Sequence, residues 1–565
     1  MPPKSNQLAT RTQTAVWGTF ILALIVLLSI RMVNLEADTP SSLWTVSFGP
    51  HVDEGYKTLD ARNLYLSGAT HWNDEDDYPG WTRRSPITQL GFYSAFRLLG
   101  QKLGSARLVT IAWFLLMMVV FTHTMKNRYE PGVVLLGLAL LGMNHTLFLF
   151  SRIALFELPI TCLVFIPVFL FAKYSVDHSR ILIGITLGFL LVGTLGVKAS
   201  TLLYFLPVLA ALVVVLRRRA PADRILVVTV PTLITAIALA TYFHSSWMPR
   251  LGQMDIPMIR EWLASPLAQA TPLLVGAGLL AAGHSLLLDW RSFLRDPYKA
   301  ALLALMVGGP LLLAQFRYHP LRYYIPILPA YPLLTLEWLA DRNWKRPIPE
   351  KVPAATAVVV VSLMAWGLIA TGIGLNRFAL NLALPGNVAT PEFVGPVRVR
   401  VLAGSALALA ILLWAGRRRL FRSGVWAVSI LGLLSLSLSH DIWQDSKFLL
   451  GPDFSRQQIS AEIEEILPGG ASVAGEWAPL FAIGTDLEAL YMNQVFNAPD
   501  RIGEVRPDFV LVSETSGMND FLEQISMQPG VSVTDSTYES EYAGRRIAIY
   551  PIQYSALEPD PSPQQ

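Results

Sequence analysis

Long apolar runs separated by short polar connections fill most of the chain up to about residue 440. Many runs approach the roughly 20 residues with which an α-helix crosses about 30 Å of hydrocarbon, and none has the alternating pattern of a lipid-facing barrel strand. The pattern predicts an α-helical polytopic membrane protein with about 13 transmembrane helices. The predicted spans are 15–33, 105–125, 132–150, 158–175, 181–197, 200–216, 224–243, 271–288, 299–316, 321–339, 352–374, 399–415 and 423–440.

The connections between these spans differ regularly in charge. If the N-terminus is cytoplasmic, every predicted inner connection is basic, as in Arg217-Arg218-Arg219, whereas the outer connections are mixed or very short. This asymmetry follows the positive-inside rule. An odd number of spans then places the C-terminal region outside the membrane. The first span is predicted to be an uncleaved signal anchor.

The composition agrees with a membrane protein and narrows its partners. Hydrophobic residues make up 53% of the 565 residues, and charged residues only 15%. The net charge of +3 comes mainly from Arg and Lys beside the spans. It therefore indicates membrane lipids as neighbours and no nucleic acid as a partner. The single cysteine, Cys162, excludes an intramolecular disulfide.

The first outer loop, about residues 34–104, is too long for a simple connection. Residues 54–68 and 87–99 have apolar positions at helical spacing, but each run is too short or too interrupted to cross a membrane. We expect two interfacial helices here. An acidic run at 74–77 lies between them and is expected to be solvated.

The chain becomes polar and acidic from about residue 441. Strand-like runs at 472–476, 508–513 and 546–552 alternate with helix-like runs at 455–467 and 518–525. The sequence therefore predicts three parts, which are a transmembrane domain over 1–440, a small extracytoplasmic α/β domain over 441–553 and a disordered tail over 554–565. It contains no Gly-rich nucleotide-binding loop.

Three carboxylates at predicted outer positions could carry chemistry. Asp53 and Glu54 follow the first span, and Glu157 lies in a short outer turn. A carboxylate beside a membrane cleft acts as a general base when it reaches an acceptor hydroxyl. The structural alternatives are helix N-cap roles for the first two and an ion pair of Glu157 with Arg152. Because adjacent side chains at a helix start point in different directions, we expect only one of the pair to be the base.

Several cations also fall on the outer side, where the positive-inside rule predicts few, namely Arg83, Arg84, Lys198, Arg317 and Arg322. A bound phosphate would compensate their positive charge. Arg can donate two parallel hydrogen bonds to the phosphate oxygens, and Lys contributes a compact positive charge. Snorkelling to lipid headgroups is the alternative for any single one. His51 and His319 could bind a divalent metal with the carboxylates, but no ligand spacing supports one.

The order of these motifs resembles the GT-C class of glycosyltransferases that use polyprenyl-phosphate sugars, in particular protein O-mannosyltransferases and lipid A aminoarabinose transferases. No single motif is specific, whereas their order is. The resemblance covers roughly residues 15–340. The residues that carry it are His51-Val-Asp53-Glu54-Gly-Tyr56, Arg84-Ser-Pro86, Gly104-Ser-Ala-Arg107, Ser151-Arg152-Ile-Ala-Leu-Phe-Glu157-Leu-Pro159, Gly193-Thr-Leu-Gly-Val-Lys198 and Arg322-Tyr323-Tyr-Ile-Pro-Ile-Leu-Pro329.

The resemblance implies inverting sugar transfer from a polyprenyl-phosphate donor to a hydroxyl of a protein, lipid or cell-surface glycan. The reaction would take place on the outer face of what we expect to be a prokaryotic inner membrane. Carried over by position, Asp53 is the general base, and Glu54 and Glu157 position the acceptor or assist. The cations expected to hold the donor phosphate are Arg84, Lys198, Arg317 and Arg322. Supporting candidates are His51, Tyr56, Arg83, Arg152, His319 and Tyr323.

One segment departs from the family's pattern. Aminoarabinose transferases hold the lipid phosphate partly through a Glu-Lys-Pro-Pro segment, and this chain has Arg83-Arg84-Ser85-Pro86 there. The change keeps a cation at the Lys position and reverses the charge at the Glu position. It weakens the transfer of that enzyme's acceptor or metal site to this chain.

Two other functions stay open. A lipid-linked-saccharide transporter or flippase would move its substrate without bond cleavage, and would be expected to have mid-membrane ionisable groups and inverted repeats. No such repeat is visible in the sequence. A scaffold whose outer domain binds a partner is the third hypothesis. No cofactor is predicted with certainty, and a divalent metal is unsupported.

Overall fold

The computed structural model describes residues 4–40, 50–174, 178–216, 266–314, 320–342, 353–383, 423–514 and 518–555. The predicted spans 224–243 and 399–415, and all but the first residues of the predicted tail, lie outside this part of the chain. The helices up to residue 216 are α1 (Lys4–Met32), α2 (Pro50–Leu66), α3 (Pro86–Leu99), α4 (Leu103–Met125), α5 (Pro131–Gly142), α6 (His145–Ser151), α7 (Glu157–Phe171), α8 (Ser179–Val192) and α9 (Thr201–Leu216).

Further helices follow residue 265. They are α10 (Pro266–Ala270), α11 (Pro272–Phe293), α12 (Pro297–Leu313), α13 (Ala330–Ala340), α14 (Ala354–Ala383), α15 (Ser423–Leu450), α16 (Ser455–Ile466), α17 (Ala478–Phe481), α18 (Ile502–Val505) and α19 (Met518–Ser526). Within the described ranges, five helical segments are long and apolar enough to cross a membrane, or six if α5 and α6 form one bent span. The structure is therefore a helical membrane protein, and the total of about 13 spans stays a prediction.

Two predicted spans are broken. The run 132–150 forms α5 and α6, which are bent by 65° between Gly142 and His145. The Asn144 side chain caps α6 by accepting the Leu147 backbone N–H at 3.0 Å, which stabilises the second start. The run 321–339 forms a 3₁₀ helix, Leu321–Ile327, followed by α13. Three prolines between residues 326 and 332 explain this break, because proline lacks the N–H that a continuous helix needs.

The two helices of the first outer loop occupy different environments. Helix α3 has exposed Leu90 and Leu98 and buried Phe92 and Phe96, as expected of an interfacial helix. Helix α2 begins at Pro50, earlier than predicted, and nearly every side chain from residue 52 to 63 is buried. It is covered by protein, so its interfacial position stays a prediction.

A six-stranded mixed sheet follows the last long helix. Its strands are β1 (Ser472–Gly475), β2 (Glu488–Tyr491), β3 (Phe509–Ser513), β4 (Val531–Val533), β5 (Tyr538–Tyr542) and β6 (Arg545–Tyr554). The order is β2-β1-β3-β6-β4, with β5 also paired to β6. Strands β1, β2 and β3 are parallel neighbours, and β6 is antiparallel to β3, β4 and β5.

Three of these strands and both flanking helices lie where the sequence pattern predicts them. Strands β2, β4 and β5 are additional, because they are short or, in the case of β5, carry only one buried side chain. Helix α15 continues through the predicted domain boundary at residues 440 and 441 to Leu450. The boundaries of the three predicted parts therefore stay predictions.

The sheet domain is attached to the first outer loop by polar contacts. The Asp38 carboxylate accepts the Arg456 backbone N–H at 2.8 Å. The Arg62 guanidinium donates to the Thr485 carbonyl at 3.2 Å and to the Leu487 carbonyl. Because both acceptors are backbone groups of the sheet domain, these bonds hold α2 against that domain.

The acidic run between α2 and α3 belongs to the same interface. Asp77 pairs with the Arg501 guanidinium at 2.7 Å and accepts the Asn497 backbone N–H at 2.6 Å. Asp76 accepts the Asn497 side-chain amide at 2.7 Å. The run is therefore only partly solvated, and its second half binds the sheet domain.

We expect Gly55→Ala to loosen this interface. A Cβ at Gly55 would lie 2.6 Å from the Leu480 Cα and 2.8 Å from the Pro479 carbonyl carbon, and backbone atoms cannot move aside cheaply. Overpacking of this kind costs about 1–3 kcal/mol. Limited proteolysis should release the sheet domain faster in the variant, and its thermal unfolding midpoint should fall. Gly188→Ala is the matched control, since no atom lies within 4 Å of a Cβ there. Equal behaviour of the two variants would contradict the predicted contact.

The pH dependence of stability provides a second test. Burial raises the pKa of Asp38 to about 6, against an ordinary value of 3.8. The folded protein therefore holds a proton that the unfolded chain has lost between about pH 4 and 6. The free energy of unfolding should fall by up to about 3 kcal/mol as the pH rises through this window.

Asp38→Asn keeps an acceptor for the Arg456 N–H and does not titrate. The variant should be more stable than wild type at pH 7, with little difference at pH 4. Denaturant unfolding between pH 4 and pH 7 measures the difference in unfolding free energy between variant and wild type. Asp74→Asn, at an exposed position, is the control. A gap of the same size at both pH values would rule out a raised pKa at Asp38.

Candidate active site

The first turns of α2 present Asp53 to the membrane bundle. Its side chain is buried and forms an ion pair with Arg322, at the start of the 3₁₀ helix Leu321–Ile327. Proline at 320 and 326 keeps this segment out of an α-helix and holds Arg322 at the end of the bundle nearest α2. The structure thus brings the predicted base and one predicted phosphate-binding cation together.

Glu54 has a different set of partners. Arg107 of α4 donates from Nε to Oε1 at 2.9 Å and from Nη2 to Oε2 at 2.6 Å. The Ala154 backbone N–H donates to Oε1 at 2.7 Å. Arg107 also donates to the carbonyls of Leu35 and Ala37, at 2.8 and 2.5 Å. Both carboxylate oxygens are occupied, so Glu54 holds α2 in position.

Glu157 is the first residue of α7 and is 1% exposed. Its Oε1 accepts from the Lys198 Nζ at 3.2 Å. Lys198 follows a turn of π-helix, Gly193–Val197, that ends α8. The partner of Glu157 is therefore Lys198, and the ion pair with Arg152 that the sequence left open is not formed among the described residues.

Tyr323 links the two ion pairs. Its ring centroid lies 5.1 Å from the Lys198 Nζ and 5.5 Å from the Arg322 Cζ. Its carbonyl accepts the Tyr204 hydroxyl at 2.7 Å, which fixes the backbone of the 3₁₀ helix. Asp53, Arg322, Tyr323, Lys198 and Glu157 therefore form one cluster at the end of the bundle that faces α2.

Lys57 joins this cluster although the sequence reasoning passed over it. It is 3% exposed, and its Nζ lies 4.1 Å from the Trp81 ring centroid, 4.8 Å from that of Tyr56 and 5.0 Å from that of Phe156. Burial, followed by repulsion from Lys198, lowers the pKa of Lys57 well below its ordinary value, and Glu157 opposes the shift.

The sheet domain reaches the same place through Tyr491 of β2. Its ring centroid lies 4.9 Å from that of Tyr56 and 5.0 Å from that of Tyr78. Burial is the largest cause of a raised pKa at Tyr491, and Arg322 is close enough to oppose it. The cluster is therefore covered by a residue of the sheet domain.

The remaining predicted residues lie elsewhere or outside the described ranges. Arg152 donates to the carbonyls of Val33 and Asn34 at 2.6 and 2.7 Å, so it ties down the end of the first helix. Arg83 is exposed, and half-buried Arg84 lies near the Tyr78 hydroxyl. Arg317, His319 and the side chain of His51 lie outside the described part of the chain.

Among the described residues, no group of three or more His, Cys, Asp or Glu side chains could hold a metal ion. The chemistry of the cluster is that of carboxylates beside cations. A carboxylate can accept a proton from a hydroxyl, and nearby Arg and Lys can stabilise a phosphate that carries developing negative charge.

Two residues that sequence reasoning missed had detectable signals. Lys57 follows Asp53 by four residues, a spacing that puts both on one face of a helix. Arg107 stands in a motif that carried the resemblance, but only the fold shows that its partner is Glu54. Tyr491 had no signal in the sequence, because its contact with α2 joins residues more than 400 positions apart.

The fold built from these elements is that of the GT-C class of membrane glycosyltransferases, as the order of the motifs implies. The chain is similar over nearly its whole length to the crystal structure of ArnT from Cupriavidus metallidurans bound to undecaprenyl phosphate. The sequence identity is 15%, the match covers 96% of this chain and 98% of that chain, and the TM-score is 0.51.

Two further solved structures are similar to it. They are ArnT from Cupriavidus metallidurans in the apo state, with 14% identity, 95% and 98% coverage and a TM-score of 0.49, and the apo oligosaccharyltransferase of Archaeoglobus fulgidus, with 11% identity, 90% and 71% coverage and a TM-score of 0.44. No protein-family model and no curated protein sequence matches the chain. At 15% identity the similarity to the undecaprenyl-phosphate-bound structure supports the fold alone.

Glu54→Gln should destabilise the protein. The exchange leaves the buried Arg107 guanidinium without its carboxylate, and breaking a buried ion pair in this way costs about 3–5 kcal/mol. Thermal unfolding of the purified protein in detergent should show a markedly lower midpoint. Glu75→Gln makes the same exchange at an exposed position and should leave the midpoint unchanged. If both variants have the same unfolding midpoint, the ion pair between Glu54 and Arg107 does not contribute to stability as predicted.

Proposed function

We propose that this protein is a membrane glycosyltransferase that moves a sugar from a polyprenyl-phosphate donor to an acceptor hydroxyl. The observation that carries the proposal is the pairing of two buried carboxylates with two cations, Asp53 with Arg322 and Glu157 with Lys198, in one cluster. The GT-C fold adds support, although a fold alone does not define an activity.

Asp53 is the general base of the proposed reaction. In the structure its carboxylate forms an ion pair with Arg322. A donor phosphate would compete for the guanidinium, because Arg binds phosphate oxygens through two parallel hydrogen bonds. Once Arg322 turns to the phosphate, Asp53 is available to the acceptor hydroxyl. Donor binding would thus activate the base.

Glu157 and Lys198 form the second half of the proposed site. Lys198 would stabilise the phosphate as the bond to the sugar breaks, since positive charge beside a leaving anion lowers the barrier. Glu157 keeps the Lys198 ammonium in place and contributes a second carboxylate toward the acceptor. Glu54 supports the reaction only by holding α2, since both its oxygens are bound elsewhere.

The acceptor is proposed to be a protein, lipid or cell-surface glycan that meets the donor at the outer face of a prokaryotic inner membrane. With the N-terminus in the cytoplasm, the sheet domain would lie outside. The sugar stays unassigned, because the described cluster offers no feature that selects one sugar.

Replacement of Asp53 tests the proposal. Cells that lack the gene should accumulate a polyprenyl-linked sugar and lose a glycosylated product, both measured by mass spectrometry of extracted glycolipids and glycoproteins. Wild type and Glu75→Gln should restore both levels. Asp53→Asn should reduce transfer by about 10²–10⁴-fold, the usual contribution of a general base, in protein that still folds.

Two outcomes would count against the proposal. Full restoration by Asp53→Asn would remove Asp53 as the base. Movement of lipid-linked sugar across proteoliposome membranes without any bond cleavage would instead favour the flippase alternative.

A further inference from the structure

Lys57 is a buried cation in the candidate site that the proposed roles leave unused. Within the described part of the chain its ammonium forms no ion pair and no hydrogen bond, and it lies against three aromatic rings. A buried ion loses its hydration, and aromatic faces replace only part of that loss. Such a residue weakens the unliganded fold, so its presence points to a ligand.

Hydrogen bonds hold the backbone on both sides of the Lys57 ammonium. The Asp60 carboxylate accepts the backbone N–H groups of Trp81 and Thr82, each at 2.7 Å, and so holds the backbone that carries the Trp81 ring. The Gln89 side chain donates to the Lys57 carbonyl at 2.6 Å. Neighbouring side chains therefore hold the backbone of Lys57 and the backbone of its aromatic wall through hydrogen bonds.

The charge of the cluster indicates what the ligand is. Among its described members, Arg322, Lys198 and Lys57 are cations, and Asp53 and Glu157 are carboxylates. The first two cations each have a carboxylate, so the excess of one positive charge lies at Lys57. Burial and repulsion from Lys198 also lower the pKa of Lys57, and an anion bound beside the ammonium would raise that pKa again.

We propose that the Lys57 ammonium binds the phosphate of the polyprenyl-phosphate donor. The aromatic rings around it lower the local dielectric constant and so strengthen the contact. This inference rests on the proposed function and deepens it, because it names a phosphate-binding residue that none of the sequence motifs indicated.

The test compares ligands that differ only in the phosphate. Purified full-length protein in detergent is titrated with undecaprenyl phosphate, undecaprenol or inorganic phosphate, and binding is followed by native mass spectrometry. Wild type should prefer undecaprenyl phosphate over undecaprenol. Lys57→Met keeps the length and apolar contacts of the side chain but removes the ammonium. It should lower the affinity for undecaprenyl phosphate by roughly 10- to 100-fold and leave that for undecaprenol unchanged.

Thermal unfolding without ligand separates binding from a structural role. Lys57→Met removes an uncompensated buried charge, so its unfolding midpoint should equal or exceed that of wild type. Lys102→Met, at an exposed lysine of the same outer region, is the matched control and should change neither binding nor stability.

Each remaining outcome counts against the inference in a distinct way. If wild type prefers undecaprenyl phosphate and Lys57→Met keeps that preference, the role of Lys57 is overturned while the proposed function stands. If wild type shows no preference, the proposed donor class falls as well. A lower unfolding midpoint of Lys57→Met would assign the lysine a structural role. Equally tight binding of inorganic phosphate would overturn the lipid donor as its ligand.

Discussion

The buried ion pair between Glu54 and Arg107 is the interaction on which the site depends. It joins α2 to α4, and Arg107 extends the connection to the carbonyls of Leu35 and Ala37 at the end of the first span. A buried pair contributes little net stability, but losing one partner is costly. The pair therefore specifies where α2 lies more than it strengthens the fold. Asp53 and Lys57 take their positions from it.

Helix α2 is unusual because it is polar and yet nearly fully buried. Its charged side chains divide between two neighbours. Glu54 faces the membrane bundle and Arg62 the sheet domain, whereas Asp53 and Lys57 face the cluster between them. Close approach to the sheet domain is allowed by Gly55, which has no side chain at the contact. The sheet domain is thus part of the architecture of the site, and Tyr491 brings it within contact of Tyr56.

Charge pairing gives the cluster its chemical character. Each of the two carboxylates, Asp53 and Glu157, is held by a cation, and these contacts stabilise the cluster. A buried charge needs a partner in either state. Exchange of partners between carboxylate and phosphate is then less costly than creating a charge in the site.

The sequence by itself determined the class of the protein and much of the candidate site. Apolar runs long enough to cross hydrocarbon define helices whatever their neighbours, and the order of Asp53, Glu157, Lys198 and Arg322 along the chain carried the GT-C resemblance. The period-2 and period-3.6 patterns likewise located β1, β3, β6 and the helices beside them, because those elements bury one face.

Only the tertiary structure decided the pairings and the environments. Whether Glu157 meets Arg152 or Lys198, and whether α2 is covered by the sheet domain, depends on contacts between residues distant in the chain. Local periodicity does not encode such contacts. The separation of Asp53 from Glu54 shows this most clearly. Because the two residues are adjacent, the sequence predicted that their side chains point in different directions. The positions of Arg322 and Arg107 decided that Asp53 faces the candidate site and that Glu54 holds the helix.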